Sequence, residues 1–333
     1  MTRLILTFDE SAAGALKAAE LADCVVSFGQ CFVWGRLPLA NELDAFLSPR
    51  AAKPSATDFH WLDNLSGTKF EEARKQGSGL IEFCARSETV ELWADPEANA
   101  QLQLVWLLDY FRDRGMDTSK LALVQTDDRI GSHAPADCAG LRRAAVPVRR
   151  DHLEAANSAW SSWRAPTPAA WFDLLARDLS VLPQLRNTVI ALLEELPGRA
   201  TGLGATEMRM LELLATGRVH PFDLFPGHQK PNDRQTLGYW AVGELLDGLA
   251  HCPAPAIAGL DEGPFDVELH NARERHERYK NSRLSLTGLG RAILAQADDF
   301  SRHNPVHRWW GGTELTNDRL WRWDPANRSL IAP

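Results

Sequence analysis

Short runs of apolar and β-branched residues alternate with helix-forming stretches over the first 130 residues, and this alternation constrains the fold more than any motif. Arg3–Phe8, Asp23–Phe28, Thr89–Trp93 and Leu121–Gln125 read as strands. The alanine-rich stretch after Asp9 reads as a helix that Ser11 can cap. Pro96–Arg114 reads as a second helix, because proline is tolerated in a first turn. Its apolar residues Leu102, Leu104, Val105, Trp106 and Leu108 spread widely round the axis, which predicts burial on more than one side. Val33–Arg50, with Gly35, Pro38 and Pro49, reads mostly as loop with a helical turn at Glu42–Leu47. Strands separated by helices join through right-handed crossovers into a parallel sheet. The expected fold class is therefore α/β, with a Rossmann-like parallel-sheet domain at 1–130.

Residues 131–150 mix Gly, Pro and Ala with Arg142, Arg143, Arg149 and Arg150, and read as a linker with room for one short helix. From 151 to 333 the character is mostly helical. Helices are expected at Asp151–Arg164, Pro168–Asp178, Leu182–Glu195, Ala205–Ala215 and Thr236–Ala250. Pro253–Gly259 and Arg283–Leu286 read as pairing strands flanking a long tip, and Leu289–Asp298 as a closing helix. With His220–Phe225 as a short piece, the order is that of a winged helix, here a degenerate one. Two domains suit 333 residues, at roughly 100–200 per domain.

At 44% hydrophobic and 24% charged the chain has a globular composition. Its net charge of −8 argues against coating nucleic acid or an anionic membrane. From Gln235 to Ala272 there is no lysine or arginine, so the would-be recognition helix lacks the groups that read DNA. No apolar run approaches the ~20 residues that cross a bilayer, and Asp9 comes too early for a signal peptide. Five cysteines without a Cys-x-x-Cys indicate neither a disulfide framework nor a thiolate zinc site. The expected compartment is a reducing cytoplasm. His220, Asp223 and His228, or His270 and His276, lack the i, i+4 spacing of a helical zinc motif, so no metal site is expected.

The candidate site lies where strands hand over to helices. Ligands of open α/β sheets bind at the carboxyl ends of strands, and a helix N-terminus offers unpaired N–H groups to an anion. Ser11, Ala12, Ala13 and Gly14 are thus candidate binding residues, with Trp93 and Gln101. Asp9 and Asp95 are candidate acid–base groups, and Glu97 and Asn99 lie beside them. The expected ligand is small and anionic or nucleotide-like. No cofactor is identified, and enzyme chemistry is left open. The bland alternative is that Asp9 and Ser11 serve the helix end and Gly14 packs on the sheet. Trp309, Trp310, Trp321 and Trp323 flank Gly311-Gly312 and read as an aromatic seal round a tight turn, with a homodimer through this tail as another alternative.

Three stretches also carry a resemblance. They are Phe8-Asp9-Glu10-Ser11-Ala12-Ala13-Gly14, Leu92-Trp93-Ala94-Asp95 with Gln101, and Arg308-Trp309-Trp310-Gly311-Gly312 with Trp321-Arg322-Trp323-Asp324. Together they resemble the bacterial family built on domain of unknown function eighteen thirty-five. Pro96, Glu97 and Ala100 stand where that family commonly has a histidine and two aspartates, and Glu314 where it has a histidine. The resemblance implies no reaction.

Overall fold

The computed structural model describes residues 2–50, 59–63, 65, 68–225 and 236–333. His228 and the polar loop through Gln235 lie outside the described residues, as does the side chain of Arg143. The chain divides into two compact units. The first comprises Met1–Phe32, Leu37–Arg164 and Leu174–Thr188; the second comprises Val33–Arg36, Ala165–Asp173 and Val189–Pro333.

In the first unit the order is β1 (Arg3–Thr7), α1 (Glu10–Ala18), β2 (Cys24–Ser27), α2 (Ala40–Leu47), α3 (Thr68–Gln76) and α4 (Leu80–Ala85). Then come β3 (Thr89–Ala94), α5 (Ala98–Asp113), β4 (Leu121–Gln125), α6 (Pro135–Leu141), β5 (Val146–Pro147) and α7 (Arg150–Trp163). The architecture is mixed α/β, with a five-stranded, mostly parallel sheet ordered β2-β1-β3-β4-β5. Register pairs Leu4 with Cys24, Thr7 with Trp93 and Ala94 with Gln125 in parallel. Only β5 runs antiparallel, Val146 opposite Leu123, on the edge where a proline is tolerated. Thus the segment read as a linker contains α6 and β5.

Leu4, Ile5 and Leu6 are all fully buried, as expected of a strand covered on both faces. On one face Ile5, Val25, Trp93 and Val124 pack with Ala12, Ala13 and Leu16 of α1. α5 is buried along most of its length, as its scattered apolar residues require. Elsewhere Phe32 meets Trp106 and Trp160 at ring separations of 5.3 and 4.9 Å, and the Trp163 indole N–H donates to the Phe32 carbonyl. The chain runs from β1 to β2 on one side and returns to β3 on the other. The strand order therefore reverses between β1 and β3, and residues 7–9 and 94–95 emerge side by side at the carboxyl edge.

The second unit is mainly helical. It contains α8 (Ala169–Asp173), the end of α9 (Leu185–Glu194), α10 (Ala205–Ala215) and α11 (Tyr239–Ala250). β6 (Ile257–Ala258) pairs with β7 (Ser285–Leu286), and the tip between them holds α12 (Val267–Asn271) and α13 (Arg273–Asn281). After α14 (Gly288–Leu294) the chain ends in two hairpins, β8 (His307–Trp310) with β9 (Thr313–Thr316) and β10 (Arg322–Asp324) with β11 (Ser329–Ile331). Gly311 turns the first hairpin at φ +54°, and the Trp310 indole N–H ties it to the Leu192 carbonyl at 2.7 Å. Among the described residues no helix is long and apolar enough to cross a membrane.

Candidate functional site

Asp9 follows β1 in extended conformation, and its carboxylate accepts the Ala12 N–H at 2.8 Å while its carbonyl accepts the Ala13 N–H. Asp9, rather than Ser11, caps α1. The loop after β4 closes over this helix end: a Cβ on Gly131 would stand 2.7 Å from the Ser11 Cβ and 3.1 Å from the Ala12 nitrogen. The N–H groups of Ala12 and Ala13, two of those expected to hold an anion, are thus bonded within the protein. Gly14 sits on the exposed face of α1 with open space beside its Cα.

Asp95 is buried at the end of β3, and its Oδ1 accepts the Glu97 N–H at 3.1 Å. Burial raises its pKa above the ordinary carboxylate value, and the Asp9 carboxylate pushes the same way. The Glu97 and Ile130 N–H groups and Arg129 oppose that rise. Glu97 is pushed up to about 7, first by burial and then by the Asp95 carboxylate, against the Arg129 guanidinium 2.5 Å away. A carboxyl group that changes charge near neutrality therefore stands at the strand-order reversal, a setting where perturbed groups concentrate.

Gln101 is fully buried and has the partners that an amide inside an apolar helix needs. Its Nε2 donates to the Asp95 carbonyl at 2.6 Å, and its Oε1 accepts from Gln125. Asn99 accepts from the Phe32 N–H and donates to the Gln30 carbonyl. Trp93 lies inside the core instead, its indole N–H given to Glu91 on the same strand at 3.0 Å. The fold thus gathers Asp9, Asp95 and Gln101 at one edge. Trp93 and Gly14 stand apart from them.

On the β2 side of this edge is a cavity of about 770 Å³, lined by Glu10, Ser27, Gln30, Arg50, His60 and Trp61 among others. Arg50 is paired with Asp63 at 2.5 Å, and Ser27 Oγ donates to Glu10 at 2.8 Å. His60 Nε2 lies 2.9 Å from the Ser48 carbonyl, and burial lowers its pKa. Phe59, 74% exposed, offers an open ring among the cavity's lining residues. Sequence reasoning missed Arg50, His60 and Arg129, because each comes from irregular chain and joins the edge only through the fold. Among the described residues no group of three or more His, Cys, Asp or Glu is placed to hold a metal ion. No protein-family model matches the chain, and no curated protein matches it.

Proposed function

We propose that the first unit binds a small, ring-bearing anion of nucleotide-like class in the cavity at the carboxyl edge of its sheet, with Glu97 as the proton-exchanging group of that edge. The observation that carries this reading is the combination in one cavity of Arg50, the Ser27 hydroxyl, the Gln30 amide and the rings of Phe59 and Trp61. The guanidinium suits the anionic group and an open ring suits a flat base. The parallel strand order and its reversal beside Asp9 and Asp95 support a Rossmann-like use of the sheet. Native mass spectrometry of protein from its own host, with denaturing release, tests the reading, followed by titration with adenosine monophosphate and sugar phosphates. Arg50→Ala should weaken any such ligand about tenfold or more. Absence of saturable binding across the panel overturns the reading.

A second reading has its own support. α10, the Pro221–Leu224 turn, α11 and the β6–β7 pair follow winged-helix order, α11 carries acids and no base, and Trp240 and Val267 are exposed. We read this module as serving protein contacts in a regulatory or scaffold role, not DNA. A gel shift at low salt counts against that reading.

A further inference from the structure

The first unit has another cavity, of about 420 Å³, among α2, α5 and α7. That volume falls within the roughly 300–1,000 Å³ of small-molecule sites. Helical spacing brings Trp106, Asp109 and Asp113 of α5 to one face, and they line it together. Trp160 and Arg164, one turn apart at the end of α7, line it from a second side, and Leu43 and Asp44 from α2. Trp106 and Trp160 are each only 3% exposed, and both rings pack on Phe32.

A buried indole ordinarily gives its N–H to an acceptor. The other buried tryptophans of the unit do so. Trp61 donates to the Ser78 carbonyl at 3.2 Å, Trp93 to Glu91 at 3.0 Å and Trp163 to the Phe32 carbonyl at 3.0 Å. The N–H groups of Trp106 and Trp160 have no acceptor among the described residues. Neither is sealed off from solvent, as the orphaned Trp323 N–H of the second unit is. Two nearly buried rings thus leave their donors accessible, and the cavity that both rings line is where an acceptor can reach them.

The charges of the wall decide which acceptor fits. Asp44 is paired with Arg114, and Asp109 and Asp113 are paired with Arg112 at 3.3 and 2.7 Å. Asp109 also takes the Asn157 amide at 2.8 Å. Arg164 is exposed, and its side chain has no hydrogen bond or ion pair among the described residues. With the acids matched, the wall offers one guanidinium and two indole N–H groups beside ring and Leu43 surface. Donors of this kind bond a carboxylate about twice as strongly as a neutral oxygen, and the rings suit an apolar body. We infer that this cavity binds a small monocarboxylate with an apolar body, its oxygens held by Arg164 and by the indole N–H groups of Trp106 and Trp160. The inference is independent of the ligand proposed for the cavity beside β2.

Isothermal titration of the full chain with hexanoate and benzoate tests the inference, at about pH 7 where both are ionised. Hexanol and benzyl alcohol serve as their uncharged counterparts. Saturable binding of the acids is expected, with the alcohols weaker by about tenfold or more. Arg164→Gln removes an exposed, unpaired charge at little risk to the fold. It should weaken the acids about tenfold and leave the alcohols unmoved. Trp160→Phe keeps a ring against Phe32 but removes one donor, and should weaken the acids roughly threefold to tenfold. Arg150→Gln, on the same helix and paired with Glu154, should change nothing. The inference falls if neither acid saturates, if the alcohols bind as tightly as the acids, or if Arg164→Gln and Trp160→Phe both bind like the parent chain.

Discussion

Glu91 shows how one carboxylate organises the first unit. It lies on the same face of β3 as Trp93, two residues away, and accepts the indole N–H at 3.0 Å. It also accepts from Arg142 at 2.8 Å, with Arg3 at 3.7 Å. Glu91→Ala strands a buried indole N–H and removes the partner of a guanidinium, and should cost about 2–4 kcal/mol in chemical denaturation. Glu91→Gln retains an acceptor and should cost less, and equal losses would deny the charge any part. Half of this arrangement is legible in the sequence: alternation along a strand puts Glu91 beside Trp93. Arg142 is not, because only the fold brings the turn that follows α6 to β3. The same limit applies at the candidate site, where Asp95 and Glu97 are sequence neighbours and Arg129, from beyond β4, is not. The choice of cap is also a residue-scale matter. Asp9 and Ser11 both have capping side chains, and what decides between them is the extended backbone of Asp9, three residues before the N–H it accepts.

At the scale of elements, two glycines in helices predict opposite outcomes from the same substitution. Gly14 in α1 faces open space, so Gly14→Ala should stabilise the protein by about 0.5–1 kcal/mol through helix propensity alone. Gly243 in α11 carries the Phe265 ring directly against its Cα, and a Cβ there would overlap the ring. Gly243→Ala should therefore destabilise by about 1–3 kcal/mol despite the same gain in propensity. Thermal or urea melts of the two variants check both signs, and two losses would mean that Gly14 has a role of its own. Elements with a pattern were readable: α10 runs over Ala205–Ala215 as its capping glycine and apolar spacing predict. α13 was not, because Arg-Glu-Arg-His-Glu-Arg-Tyr-Lys-Asn has no apolar stripe. Its buried residue is Tyr279, fully enclosed and packed on Phe222 at a ring separation of 5.8 Å. β5, two residues long and containing a proline, gives no strand pattern at all.

Across the whole molecule, buried carboxyls set how stability responds to pH. Glu97 and Glu195 are each pushed to about 7, and Asp247 to about 6, all chiefly by burial. Thr206 opposes the rise at Glu195 and the Glu207 carboxylate adds to it, with Arg308 on the other side. In each case the folded pKa lies above the unfolded one, so the native state binds the proton more tightly. The stability this contributes is fully present below about pH 4 and is lost as pH rises through 6 to 7. Asp324, held at about 2 by Arg199 and Asn327, works in the opposite sense, but its contribution is lost only as pH falls below about 4. His60, its pKa lowered by burial, also favours the folded state as pH rises, up to its ordinary 6.5. Above that point the raised carboxyls, Glu97 and Glu195 foremost, are left to tilt the curve downward. Melting temperatures of the parent and of Glu195→Gln from about pH 6 to 8 isolate one of them, since the variant carries no charge at that position. The variant should gain on the parent by roughly 2–4 °C over that range. A difference that stays constant with pH would mean that Glu195 is already ionised at pH 6 and that the fold supports its charge without cost.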